Sequence, residues 1–163
     1  MTLIFRNDQP DEFLDILREV GQWLVDTDQL MWEPQTLTAD NLIDDYTRDN
    51  CYVMYVNEAP AATFILQWKD PLYYADVPDN TAAFIHKVAI RRQFAGQNLF
   101  TLMLDFCRTE CLKRGIHELQ LETDATRPKL MAFYERHQFR PTYQKVIHEF
   151  GQTFTCQYYV MTF

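Results

Sequence analysis

Six residues, Gln93-Phe94-Ala95-Gly96-Gln97-Asn98, hold one glycine and no acidic side chain, and Arg91 and Arg92 come just before them. They join an apolar run rich in β-branched residues (AFIHKVAI, 83–90) to a segment in which Leu99, Leu102, Met103, Phe106 and Cys107 recur at helical spacing. A strand that feeds a helix through so short a turn leaves the first N–H groups of the helix without internal acceptors. With the positive end of the helix dipole, those groups form a site for phosphate, and an arginine beside it would add charge-assisted bonds. Three further side chains have chemistry of their own. His86 carries an imidazole, suited to taking a proton near neutral pH. Glu122 stands near the carboxyl end of an alternating strand, HELQLET. Tyr134 carries a phenol, a hydrogen-bond donor with an ordinary pKa of about 10 that is protonated at rest.

The turn spells Q-x-x-G-x-N, which resembles the acetyl-CoA-binding signature of the GNAT superfamily of N-acetyltransferases, usually Q/R-x-x-G-x-G/A. A second segment, Leu130, Phe133-Tyr134-Glu135 and Phe139, is similar to the family's "L…FYE…GF" run at its usual distance downstream. The resemblance implies a strand that splays from its parallel neighbour, so that backbone groups at Val88, Ala89 and Ile90 meet the pantetheine arm of acetyl-CoA. It further implies that Arg91, Arg92, Gln93, Phe94, Ala95, Gly96, Gln97 and Asn98 wrap the pyrophosphate. Tyr134 then faces the cofactor sulfur, and His86 or Glu122 is the candidate for the acceptor's proton. Three positions depart from the pattern: Asn98 for Gly or Ala, Gln138 for the glycine of "GF", and Arg127 for the usual Asn. Arg127 is a candidate for the 3′-phosphate or adenine side of the cofactor, or else a residue of the helix cap.

These residues need a scaffold, and the rest of the chain supplies one. Thr2–Arg6 reads as a strand, followed by a helix capped by Asn7 or Asp8 and weakened at Gly21. A loop over 26–36 follows, then a short helix from Thr38 to Tyr46. Residues 51–68 read as two strands joined at Asn57–Pro60. The run from Lys69 to Asn80 breaks periodicity and reads as a loop in which Asp70, Asp76 and Asp79 are either solvated or an attraction for a cationic amine. Trp32, Trp68 and Tyr74 are candidates for contact with the acceptor or for packing. Arg114-Gly115 ends the central helix, Pro128 opens the next, and strands over 142–149 and 153–162 close the chain. Tyr143, Tyr158 and Tyr159 are candidates for the acceptor pocket or the edge of a homodimer.

A chain of 163 residues fits one domain with a core of its own. A net charge of −8 disfavours broad affinity for nucleic acid. Cys51, Cys107, Cys111 and Cys156 show no C-x-x-C pair. The amino terminus lacks a signal-peptide pattern, and no apolar run reaches about 18 residues, so no membrane association is expected. The reading is an α/β (or α+β) fold, a mixed, mostly antiparallel sheet with helices on both faces, as one domain over 1–163. Its expected activity is cytoplasmic acetyl transfer from acetyl-CoA (coenzyme A) to the primary amine of a small molecule, by direct attack in a ternary complex and with no metal. The alternatives are a protein or peptide N-acetyltransferase and a catalytically silent CoA-binding sensor.

Overall fold

The computed structural model describes residues 1–163. Strands β1 (Leu3–Arg6), β2 (Cys51–Val56), β3 (Ala59–Gln67), β4 (Ala83–Ile90), β5 (Glu118–Asp124), β6 (Arg140–Glu149) and β7 (Gln152–Thr162) lie in the sheet order β1-β2-β3-β4-β5-β7-β6. Helices are α1 (Pro10–Asp26), α2 (Ala39–Leu42), α3 (Leu99–Leu112) and α4 (Pro128–Arg136). The β4–β5 pair is parallel, in register at Ala83–Leu119 and Phe84–Gln120. Pairs β1–β2, β2–β3, β5–β7 and β6–β7 are antiparallel. This is the mixed, mostly antiparallel sheet with flanking helices that the sequence implies.

The chain divides into two compact units, one of residues 1–67 and 87–104, the other of residues 68–86 and 105–163. In the first, α1 turns Phe13, Ile16, Leu17, Val20 and Leu24 onto Val53, Ile65 and Ala89, a stripe at helical spacing. Pro10 starts the helix, with Asp11 and Glu12 in its positive first turn. The cap is Gln9 and makes no side-chain capping bond. Asn7 instead reaches the Asp49 carbonyl and Asp8 pairs with Arg6, so the expected caps are used elsewhere. Gly21 does not weaken the helix end: α1 continues to Asp26. A Cβ at Gly21 would stand 3.0 Å from Leu37 Cδ1, so the glycine lets the following loop pack close. The second helix is shorter than expected. Thr38 caps it, accepting from the Asn41 N–H, and it ends at Leu42.

In the second unit, Tyr73, Tyr74, Phe84, Ile147, Cys156 and Tyr158 form a core. Tyr74 stacks on Phe84 and meets Tyr158 edge-on. The loop that supplies Tyr73 and Tyr74 is therefore anchored through its aromatic residues. No helix is long and apolar enough to cross a membrane.

Candidate functional site

The turn after β4 is exposed at Arg92, Gln93 and Ala95 to Asn98. Arg92–Phe94 forms a single 3-10 turn, Ala95 is extended, and Gly96 and Asn98 take left-handed backbone at φ 79° and φ 59°. A Cβ at Gly96 would meet nothing within 4 Å, so glycine is there for its φ and not for room. Asn98, the first departure from the signature, keeps the conformation a glycine would adopt, and asparagine is among the few residues that tolerate it. Its Oδ1 accepts from the Thr101 hydroxyl at 2.8 Å. The first turn of α3 has no acidic side chain, and helix geometry gives the N–H groups of Leu99 and Thr101 no acceptor within the helix. An exposed, acid-free turn of this kind fits the pyrophosphate of a nucleotide-linked cofactor.

Arg91 and Arg92 also contact the scaffold of that turn. The Arg91 Nε donates to Glu19 at 2.7 Å and its Nη1 donates to the Pro60 carbonyl at 2.9 Å, while its backbone N–H donates to the Ala61 carbonyl. The Arg92 guanidinium lies 4.2 Å from the Trp23 ring centroid. Just upstream, Lys87 has φ 51° and interrupts the alternation of β4. Val88 and Ile90 are half-buried, while Ala89 joins the core with α1. The Lys87 ammonium stands over Trp32, 5.8 Å from its centroid.

The second unit contains a buried polar cluster. His86 Nε2 lies 2.6 Å from Asp70 Oδ2 and its Nδ1 lies 2.9 Å from Glu122 Oε1. Side-chain exposures are 11% for His86, 5% for Asp70 and 8% for Glu122, so water does little to stabilise the charges. The Tyr74 hydroxyl donates to Glu122 Oε2 at 2.6 Å, and the Tyr73 hydroxyl donates to Glu149. Asp70 Oδ1 accepts from the N–H groups of Leu72 and Tyr73 at 3.0 Å, which fixes the carboxylate at the head of its loop. Burial alone would favour a neutral His86 ring. The Glu122 charge and the bonds to Asp70 and Glu122 outweigh it and push the ring up to about 10. Burial likewise opposes ionisation of Asp70, yet the bond from His86, its charge and the two backbone donors hold that carboxyl below its ordinary value.

Tyr134 lies on α4 with its ring 6.1 Å from Phe139 and 6.0 Å from Tyr159. Burial, then the Glu122 and Tyr159 charges, push its phenol up, so it is a protonated donor throughout the neutral range. Gln138, the second departure, keeps a glycine-like φ of 70°. Arg127 occupies the N-cap position of α4 without a side-chain capping bond, its Nε 3.8 Å from Asp124 Oδ2. Trp68 carries the Arg114 guanidinium at 3.9 Å from its centroid. Tyr74 is only 3% exposed and acts on Glu122.

The sequence reasoning missed the place of Asp70, left among solvated or cation-attracting aspartates. It is 16 residues from His86, and a loop packed through Tyr73 and Tyr74 brings the two together.

Comparisons place this architecture. The family model described as the acetyltransferase (GNAT) family matches residues 17–139. A solved GNAT-family acetyltransferase from Listeria monocytogenes superposes with a TM-score of 0.75 at 15% identity, over 99% of this chain and 95% of that one. The ribosomal-protein-S18-alanine N-acetyltransferase from Escherichia coli does so with a TM-score of 0.66 at 17% identity, over 99% and 94%. An N-acetyltransferase from Staphylococcus aureus gives 0.65 at 12%, over 99% of each chain. No curated protein matches the sequence.

Proposed function

This chain belongs to the acetyltransferase (GNAT) family, and from that premise we propose that it transfers an acetyl group from acetyl-CoA to the primary amine of a small molecule. Family membership supports acetyl transfer from acetyl-CoA in general; the acceptor class and the residue roles are our reading. When bound, acetyl-CoA supplies an already activated acetyl thioester. In our assignment, the backbone of Gln93–Asn98 and the start of α3 hold the pyrophosphate, and the backbone of Val88, Ala89 and Ile90 aligns the pantetheine arm. An N–H at Val88 or Ala89 polarises the carbonyl. The Asp70–His86–Glu122 cluster takes the acceptor's proton, and the Tyr134 hydroxyl gives a proton to the departing sulfur. Holding both reactants in place contributes much of the rate. Trp32 and Trp68 are proposed acceptor contacts.

The observation that carries this reading is the exposed turn at Gln93–Asn98, left-handed at Gly96 and Asn98 and free of acid, opening onto α3. The test is turnover of acetyl-CoA against a panel of small amines and amino-terminal peptides, read as free thiol. Thiol release with a class of small amines is the expected result. Release with peptides alone would move the acceptor to proteins, and release with none would remove the transferase reading.

A further inference from the structure

His86 presents both ring nitrogens to carboxylate oxygens, at 2.6 Å and 2.9 Å. A neutral imidazole has one N–H and one lone pair, so a neutral ring between two ionised carboxylates would set its lone pair against oxygen at one contact. Two N–H donors satisfy both. The surroundings favour that charge. Asp70 faces the ring from the 68–82 loop and Glu122 from β5, with the Tyr73 and Tyr74 rings 5.2 Å and 6.2 Å away. Behind them Tyr158 of β7 meets Tyr74, and Glu149 of β6 accepts from Tyr73. Lys145 of β6 stands farther out, over Tyr158 and 3.8 Å from Asp76.

We propose that Asp70 is a positioning residue that keeps His86 an imidazolium, which pins Glu122 and leaves Glu122, not His86, as the group that takes the acceptor's proton. The proposal rests on the acetyltransferase reading. In the step, an N–H bond of the acceptor ammonium breaks, its electron pair stays on nitrogen, and an O–H bond forms on Glu122. His86 and Tyr74 occupy one lone pair on each Glu122 oxygen, and each oxygen has a second. An imidazolium with both N–H groups engaged has no lone pair to offer.

Asp70→Asn tests this with little change of shape. The asparagine Oδ1 can still accept from Leu72 and Tyr73, but an NH2 replaces the oxygen that faces His86 Nε2. The ring must then turn a lone pair to that NH2 and become neutral. Ring nitrogen NMR of the full-length chain between pH 6 and pH 9 reads the state directly. The wild type is expected to stay doubly protonated throughout, and Asp70→Asn to show a neutral ring at the upper end. Glu122→Gln should lower kcat about a hundredfold or more with the KM for acetyl-CoA within about twofold. A wild-type ring that titrates near its ordinary value, or Glu122→Gln with wild-type kcat, would overturn the proposal. Absence of turnover in the wild type would sink the acetyltransferase reading and the role of Glu122 together. The ring spectrum needs no turnover and still decides whether Asp70 holds the charge.

Discussion

Replacing His86 with glutamine removes the cation from between Asp70 and Glu122. Breaking a buried ion pair by deleting one partner costs roughly 3–5 kcal/mol, because a buried charge is left uncompensated. In the variant Glu122 keeps the Tyr74 hydroxyl and Asp70 keeps its two backbone donors, so the lower end, about 3 kcal/mol, is expected. The dependence on pH is the sharper signature. The ring is raised from 6.5 to about 10, so the folded protein keeps a proton that the unfolded chain releases above about 6.5. The stabilisation is therefore fully present below that pH and is lost as pH rises through about 10. Within the window each pH unit removes about 1.4 kcal/mol, or about 2 kcal/mol between about pH 7.5 and about pH 9. Urea unfolding of wild type and His86→Gln at those two pH values measures it. The wild type should lose about 2 kcal/mol more than the variant. Equal losses would refute the charged ring.

Three further outcomes follow from the same geometry. Tyr134→Phe removes a hydroxyl that burial keeps protonated. It should lower kcat about a hundredfold while CoA binds as before, as steady-state rates and calorimetric titration would show. Gln138→Gly relieves a φ of 70° at an exposed position and should raise stability by about 1 kcal/mol in denaturant unfolding. Gly96→Ala meets no neighbouring atom, yet it places a side chain at φ 79°. It should cost about 1 kcal/mol of stability and weaken CoA about tenfold by titration.

Much of the fold was legible because its signals are local. The apolar run before Gly96, the helical spacing after it and the alternation of 118–124 name their elements without help from the rest of the chain. Asn98 and Gln138 looked like losses of glycine, but their backbones keep the left-handed conformation, which residue type alone does not reveal. Gly21 was read as a helix weakness because propensity is a property of the residue, whereas its use is the close approach of Leu37. The same limit hid Asp70. Its loop sequence is rich in acidic and turn-forming residues, and its burial comes from Tyr73 and Tyr74 packing into a core built by distant strands. The strand parity at His86 was a further obstacle, since a positive φ at Lys87 resets which residues face inward. Arg91 and Arg92 are candidate phosphate ligands from their place beside the turn, and their contacts with Glu19, Pro60 and Trp23, distant in sequence, are not legible from that place.

We propose that the cofactor binds at the turn opening α3. Backbone amide NMR of the full-length chain during titration with CoA tests it without any acceptor. Saturable shifts concentrated at Gln93–Thr101 and at Val88–Ile90 are expected. Binding that leaves those amides unmoved, or no binding at all, would contradict it.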